Sequence, residues 1–273
     1  MKSRWKKVEY KIISGKVVEI KRTYMPLADR KKPRGHRIAG NSDERKIKDN
    51  EREQKKRLAR TLNANLEKGW MLVTLKYDDE TRPLDYAALQ VSGKKYMRKL
   101  REAFKKQYGR NPKFILVNAN WNPERDCPAK FHHHIVIESC SWDMLRGLWP
   151  IENGVSIEPI DGREDHTALA VYLIDNVHGL PYNGKVWSTS RDNLVKPIYT
   201  EPVEIADGIA DIQPIPTAVQ TAFERLDGEA GTPVSAYIRC VLPEKPVIKG
   251  HQIMLPKPRK RGGKGAKHEF TAL

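Results

Sequence analysis

The chain has 273 residues, of which 39% are hydrophobic, enough for one large globular domain with smaller appendages. Lysine and arginine outnumber aspartate and glutamate by 50 to 34, so nucleic acid is the partner expected first, ahead of acidic lipid or a merely solubilising surface. No apolar run approaches the roughly 20 residues of a membrane helix, and three cysteines without a CxxC pair argue against a disulfide framework. The N-terminus lacks an apolar signal core, so we expect a cytoplasmic protein without a membrane partner.

The N-terminal part of the chain predicts a hairpin and a basic helix. Two β-rich runs in residues 8–24 meet at Ser14-Gly15, which is typical of a hairpin turn. Residues 41–69 have helical spacing, with Asn41 as a possible N-cap and a glycine at the far end. An apolar stripe near the end of this helix consists of Leu58, Leu62 and Leu66.

From residue 70 onward the pattern predicts the order β-α-β-β-α-β-α. The strands are expected at 70–80, 113–122, 131–139 and 154–161, and the helices at 84–109, 142–150 and 165–177. The apolar positions of the helix at 84–109 include Tyr96, Met97, Leu100 and Phe104, and Gly109 is expected to end it. Hairpins mixed with helices favour an α+β fold with a central, mainly antiparallel sheet flanked by helices. We therefore expect an N-terminal hairpin and basic loop (1–40), a central domain with a leading basic helix (41–205), and a Pro-rich extension with a basic tail (206–273). Within the extension, residues 235–242 predict one more strand.

The stretch KFHHHIVIES at residues 130–139 places three histidines at the start of a predicted strand. Because side chains alternate across a strand, His132 and His134 share one face and His133 points to the other. Two imidazoles on one face can occupy two positions around a divalent metal. Three histidines also fit an ordinary polar entry to a strand, so the pattern alone leaves both interpretations open.

Tyr172 lies in the predicted helix that follows the sheet, where it could face the strand that carries the histidines. A tyrosyl oxygen beside a metal-bound phosphate can act as a nucleophile, which leaves the protein covalently joined to a DNA 5′ end. A tyrosine with this helical spacing is more often a core residue, and the spacing does not exclude that role.

Several blocks of sequence occur here in an order and spacing that are more specific than any single block. They span about residues 8–205 and are EYKIISGKVVEI, LNANLEKGWMLVTLKYDDE, KFHHHIVIE, GVSIEPID, ALAVYLIDN and VWSTSRDNLVKP. Together they resemble the HUH endonucleases, and more closely the rolling-circle replication proteins of Gram-positive plasmids, phages and integrated elements. The resemblance implies an antiparallel sheet of RNA-recognition-like topology and a divalent ion, Mg or Mn, on His132 and His134. It also implies Tyr172 as the nucleophile that nicks single-stranded origin DNA.

Two positions depart from the pattern of that family. Relatives usually carry an acidic third metal ligand on the strand before the histidines, where this chain has Asn120. A neutral amide can still donate its carbonyl oxygen, so Asn120 is the third ligand that the resemblance implies here. Relatives also carry a lysine three residues after the tyrosine, where this chain has Asp175, whose charge would repel a phosphate. Together the two changes suggest a weakened or lost nuclease that keeps its DNA-binding surface.

Basic residues in three segments are the predicted contacts to DNA. The DNA is expected to be single-stranded or an origin hairpin. These residues lie in the basic helix, in the SRDNLVKP block and in the tail, and they are Arg45, Lys55, Lys56, Arg57, Arg191, Lys196, Arg259, Lys260 and Arg261.

Three functions therefore remain open from the sequence. The first is a metal-dependent rolling-circle initiator that nicks through Tyr172, with Tyr182 as the alternative nucleophile. The second is a catalytically weakened or inactive DNA-binding regulator or accessory protein of the same fold. The third is an RNA-binding protein that uses the same sheet. No GxxxxGK[ST] loop is present, so unwinding of an origin would need a host helicase.

Overall fold

The computed structural model describes residues 5–26, 44–179, 186–190, 193–227, 233–249, 252–256 and 270–272. The chain divides into two compact units. The central unit consists of residues 42–195, and the terminal unit combines residues 1–41 with residues 196–273. Among the described helices, none has the length and apolar character that crossing a membrane requires.

The predicted N-terminal hairpin is present. It consists of β1 (Trp5–Ser14) and β2 (Val17–Pro26), which pair in antiparallel register. Gly15 has a φ of 64°, and glycine adopts this left-handed conformation without the steric cost that a Cβ brings. The Ser14-Gly15 signal therefore located the turn correctly.

The central unit alternates helices and strands in the predicted order. Its elements are α1 (Glu44–Asn65), β3 (Met71–Lys76), α2 (Tyr86–Tyr108), β4 (Phe114–Asn122), β5 (Cys127–Ile137), α3 (Trp142–Gly147), β6 (Val155–Pro159), α4 (Thr167–Asp175) and β7 (Trp187–Thr189). The strands form one sheet in the order β6-β3-β5-β4-β7, and every neighbouring pair is antiparallel. The α+β class is confirmed, and β3 to β6 follow the β-α-β-β-α-β connectivity of a split βαβ motif.

Helices cover both faces of this sheet. On one face, α2 and α3 pack against β5 through contacts that include Leu100 and Ile135. On the other face, α1 and α4 pack against the same strand, and Leu62 and Leu173 bury Val136. Each fully buried aliphatic side chain contributes roughly 1.5–3 kcal/mol, so β5 is held firmly between two helical layers.

The predicted apolar stripes form the inner faces of α1 and α2. Leu58 and Leu62 of α1 are fully buried, and Leu66 packs against the same cluster. In α2 the predicted residues Tyr96, Met97, Leu100 and Phe104 are all buried. Asp85 caps the start of α2 by accepting from the Ala88 amide, and Gly109 ends it in the left-handed conformation, as predicted.

The helix α1 ends at Asn65, four residues before the glycine that was predicted to stop it. The Asn65 amide group donates to the carbonyls of Thr61 and Val195, each at 2.8 Å, and its oxygen accepts from the Val195 amide at 2.7 Å. These bonds replace a further helical turn. Gly69, with a φ of 95°, then turns the chain into β3. The predicted N-cap Asn41 lies outside the described residues.

Besides β1 and β2, the described part of the terminal unit contains strands that, with one exception, the sequence did not predict. They are β8 (Ile198–Tyr199), β9 (Val203–Glu204), β10 (Gln220–Asp227), β11 (Pro233–Val241), β12 (Val247–Lys249), β13 (Gln252–Pro256) and β14 (Phe270–Ala272). The predicted strand 235–242 corresponds to β11, which pairs with β2, so the N-terminal hairpin shares one sheet with β8 to β11. The strands β12, β13 and β14 form a separate sheet. Most of the basic tail, residues 257–269, lies outside the described residues.

Candidate functional site

The histidines divide between the two faces of β5 as predicted. His132 and His134 point to the face covered by α1 and α4, and their Nε2 atoms lie 3.1 Å apart. His133 points to the α2 face, where it is fully buried. The alternation follows from the period of two of a strand, and it brings two ring nitrogens together at one place.

The remaining ring nitrogens of this pair are held by neighbouring groups. His132 Nδ1 lies 2.8 Å from the Lys130 carbonyl, which can only accept, so Nδ1 carries the proton and Nε2 keeps a lone pair. His134 Nδ1 lies 3.1 Å from the Thr74 hydroxyl. Burial lowers the pKa of His132 below its ordinary value and lowers the pKa of His134 to about 3. Both imidazoles are therefore neutral at pH 7, which is the form that binds metal.

The pair fits two positions of a divalent metal site. Metal–nitrogen bonds are about 2.0–2.1 Å long, so one ion can touch both Nε2 atoms at their 3.1 Å separation. The bond from His132 Nδ1 to the Lys130 carbonyl is of the kind that usually orients a metal-binding imidazole. Among the described residues, no group of three or more His, Cys, Asp or Glu side chains is placed to hold a metal. Further ligands would therefore be amide oxygens, water molecules or phosphate oxygens. Mg²⁺ sites in proteins commonly include water and phosphate oxygens among their ligands.

His133 has a structural role on the opposite face. Its Nδ1 donates to Asn118 Oδ1 at 2.8 Å, and its Nε2 lies 2.7 Å from the Tyr77 hydroxyl. Burial lowers its pKa to about 3. Gly93 of α2 lies against this network, because a Cβ at that position would be 3.0 Å from both Asn118 Oδ1 and His133 Cε1.

We expect Gly93→Ala to lower the free energy of unfolding by about 1–2 kcal/mol. Overpacking of a core typically costs about 1–3 kcal/mol, and the better helix propensity of alanine returns about 0.5–1 kcal/mol. Gly147→Ala in α3 is the matched control, since a Cβ there meets no atom within 4 Å, and it should leave stability unchanged or slightly raised. Urea unfolding of both variants checks this, and equal midpoints would contradict the close approach of α2.

Tyr172 of α4 faces the histidine pair. Its ring centroid lies 5.4 Å from that of His134, and the residue is 39% exposed, so it is not the core residue that helical spacing alone would favour. Burial, followed by the charge of Glu158, raises the pKa of the Tyr172 hydroxyl. Tyr172 is therefore accessible but protonated at neutral pH.

One cavity joins these side chains. It has a volume of about 420 Å³, and its lining includes His132, His134 and Tyr172. Basic residues Lys76 and Lys130 and aromatic residues Trp121 and Phe131 also line it, together with Glu124 and Glu158. Lysine ammonium groups bind phosphate and aromatic rings stack on unpaired bases, so the cavity has the chemistry for a short piece of nucleic acid.

Asn176 is a site residue that the sequence reasoning missed. It is 4% exposed, lines the cavity, and its amide donates to the Tyr172 carbonyl at 2.7 Å. Burial has the largest effect on the pKa values of His134 and of the Tyr172 hydroxyl, and the Asn176 side chain acts against it at both groups. The signal that could have found it is its position four residues after Tyr172, on the same side of the helix.

Asn120 does not join this group. It occupies an irregularity in the pairing of β4 with β5, where its amide donates to the His178 carbonyl and its oxygen accepts from the His178 amide, both at 2.9 Å. The backbone amides of Asn120 and Trp121 both donate to the Asn176 carbonyl. Instead of offering an oxygen to a metal, Asn120 fastens the end of α4 to the sheet and so positions Tyr172.

Asp175 is paired rather than free to repel a phosphate. Its carboxylate lies 2.5 Å from Lys55 Nζ of α1, and Lys55 also pairs with Glu51 at 2.7 Å. Although burial alone would lower it, the pKa of Lys55 is raised by these two carboxylates. Lys55, a predicted DNA contact, is thus engaged within the protein.

Two of the other predicted DNA contacts have described side chains in the central unit, and neither lines the cavity. Lys56 and Arg57 lie on α1, and Lys196 is an exposed residue of the terminal unit. The remaining predicted contacts lie outside the described residues or have side chains outside them; they are Arg45, Arg191, Arg259, Lys260 and Arg261. The alternative nucleophile Tyr182 also lies outside the described residues.

Comparison of the chain with known proteins identifies no relative. No protein-family model matches it, and neither do the curated proteins or the solved structures. The cavity lined by His132, His134, Tyr172 and Asn176 is therefore the feature of the molecule that indicates a function.

Proposed function

We propose that this protein is an HUH-type endonuclease that nicks single-stranded DNA at an origin, as rolling-circle replication initiators do. The observation that carries the proposal is the meeting of His132, His134 and Tyr172 in one cavity. Two neutral imidazoles with converging Nε2 atoms and an accessible tyrosine are what metal-assisted phosphoryl transfer requires.

In the proposed reaction, the Tyr172 oxygen attacks the phosphorus of the scissile linkage. The new bond joins tyrosine to the 5′ phosphate, the bond from phosphorus to the 3′ oxygen breaks, and the 3′ oxygen leaves as a hydroxyl after taking up a proton. A divalent ion, Mg or Mn, on His132 and His134 would polarise the phosphate and favour loss of the tyrosine proton. Lys76 lines the cavity and would hold a flanking phosphate, as would Lys130 after leaving its ion pair with Asp79, now at 2.9 Å.

The test is formation of a covalent adduct between the protein and DNA. A library of random single-stranded oligonucleotides, labelled at the 3′ end, is incubated with the protein and Mn²⁺ and separated on a denaturing gel. We expect label to migrate with the protein in Mn²⁺ and not in EDTA. A contaminating nuclease would cut DNA without producing this adduct. Absence of any adduct with Mg²⁺ or Mn²⁺ would refute the nicking function.

A second candidate is a DNA-binding regulator or accessory protein of the same fold that does not cut. It is favoured by the position of Asn120, because the bonds to His178 leave β4 without the third ligand that the resemblance implies. Under this alternative, DNA binding persists in EDTA, no adduct forms with either metal, and Tyr172→Phe changes nothing.

We expect Asn176→Ala to lower the nicking rate about 10–100-fold, the usual effect of losing a residue that orients a metal ligand. Asn65→Ala is the matched control, because Asn65 is similarly buried and also donates to the carbonyl four residues earlier, at 2.8 Å, but lies outside the cavity lining. Single-turnover nicking and thermal unfolding are measured on both variants. An equal loss of activity in the two would mean that Asn176 acts through stability alone.

A further inference from the structure

The outer face of α2 is basic along most of its length. The seven exposed basic residues from position 94 to 106 are here called the α2 basic face; they are Lys94, Lys95, Arg98, Lys99, Arg101, Lys105 and Lys106. Glu102 is the one exposed acidic residue within this stretch. None of the seven forms an ion pair with another described residue.

Helix stability does not explain this face. Like charges four residues apart destabilise a helix by about 0.2–0.5 kcal/mol a pair, and Lys94–Arg98, Lys95–Lys99 and Arg101–Lys105 are such pairs. The helix dipole favours cations in the last turn only, which accounts for Lys105 and Lys106.

The preceding helix in the chain, α1, shows the charge pattern of a solvated helix face in this protein. Its exposed charged residues between 47 and 57 comprise three acidic and three basic side chains; they are Asp49, Glu51, Glu53, Lys48, Arg52 and Arg57. Glu51 also pairs with Lys55 four residues on. The α2 basic face lacks this balance, so an external polyanion is the simplest source of compensating charge.

The α2 basic face lies on the opposite side of the sheet from the cavity. α2 packs on the face to which Ile135 and Ile137 point, whereas His134 and Tyr172 meet on the face covered by α4. Basic groups continue past the end of α2, where Arg110 and Lys113, together with Arg101 of α2, line an open cavity of about 920 Å³. Of these, Arg110 is already paired with Glu138 at 2.6 Å.

We propose that the α2 basic face binds the sugar–phosphate backbone of duplex DNA without reading its sequence, as a second contact separate from the nicking cavity. Lys94, Arg98, Arg101 and Lys105 follow one side of the helix over about 16 Å, long enough to reach several phosphates. No aromatic residue is exposed between positions 94 and 106, whereas single-strand binding normally uses stacked aromatic rings. The inference does not depend on the nicking chemistry.

The test compares two triple variants that remove the same charge. Lys94→Gln, Arg98→Gln and Lys105→Gln change the α2 basic face, and glutamine keeps a similar helix propensity. Arg101 is left in place because its guanidinium packs over the Phe114 ring, 5.1 Å from the ring centroid. Lys48→Gln, Lys68→Gln and Arg125→Gln form the control, since all three are exposed residues outside α2. Binding of a 20-base-pair duplex of mixed sequence is measured by fluorescence anisotropy in EDTA, so nicking plays no part.

We expect the α2 variant to lower the slope of log affinity against log salt by about 2.7, because each phosphate that is no longer neutralised lowers it by about 0.9. When the salt concentration is raised fourfold, the affinity of the α2 variant should therefore fall by a factor roughly 40 times smaller than that of the unmodified protein. The control variant should lower the slope by less than about 1. Equal effects of the two variants would overturn the proposal, because net charge would then explain both.

Two further probes define the partner. Duplex DNA should bind more tightly than an oligo(dT) strand with the same number of phosphates, and the affinity of the α2 variant should fall more for the duplex than for the single strand. An equal fall for the two DNA forms would overturn the assignment to duplex. Tighter binding of polyglutamate than of duplex DNA at the same salt would overturn the assignment to nucleic acid.

Discussion

Tyr172→Phe is expected to abolish the covalent DNA adduct while DNA affinity stays within about twofold. The change removes one oxygen atom and leaves the ring, so the contact with His134 at a centroid distance of 5.4 Å is kept. Phenylalanine has no group that can attack phosphorus. A residue that served only packing or binding would not show this separation between adduct formation and affinity.

The adduct is measured with 3′-labelled single-stranded DNA and Mn²⁺, and affinity is measured in EDTA. Tyr199→Phe is the control, because Tyr199 is 56% exposed and belongs to the terminal unit, and it should form adduct at the normal rate. If Tyr172→Phe still forms adduct at that rate, the nucleophile is another tyrosine, and Tyr182 becomes the first candidate.

The central unit follows from its sequence because its signals are local. Apolar spacing located α1 and α2, and strand alternation assigned His132 and His134 to one face, as their 3.1 Å contact confirms. The strands of the terminal unit carry weaker signals. β8 and β9 have two residues each, too short for a pattern of their own, and they pair with β1 near the other end of the chain, which no local pattern reports.

The site was predicted only in part, for a physical reason. The sequence shows which residue types are present but not which hydrogen bonds already occupy them. Asn120 has the ligand chemistry of an amide, yet both polar atoms of its side chain bond to His178. Asn176 has the same chemistry and lines the cavity, but an asparagine at a helix end is interpreted first as a cap.

The hydrogen bonds of Asn120 and the ion pair of Asp175 change the effects expected of substitutions at these two positions. A glutamate at position 120 would strengthen a metal site if Asn120 faced the metal. In this structure Asn120→Glu instead removes the donor to the His178 carbonyl and sets a carboxylate against it, which loosens the end of α4. Asp175→Lys would likewise place a second cation beside Lys55, which now lies 2.5 Å from the Asp175 carboxylate.

The histidine pair carries the other large expected effect. His132→Ala and His134→Ala should each weaken Mn²⁺ binding by more than the 10–100-fold that loss of an outer hydrogen bond typically costs, and each should reduce nicking to background. The reason is that the two Nε2 atoms converge at 3.1 Å and the described residues contain no group of three His, Cys, Asp or Glu ligands. With one imidazole gone, a single protein nitrogen remains, and it cannot hold the ion against water.

Isothermal titration with Mn²⁺ checks this directly, without relying on activity. His166→Ala is the matched control, because His166 is 7% exposed but lies outside the cavity lining, and it should keep normal metal affinity. If both site variants bind Mn²⁺ as tightly as the unmodified protein, the pair is not a metal site. The His132–His134 contact would then be a packing feature of β5, and the non-cutting DNA-binding function would be the better account of this cavity.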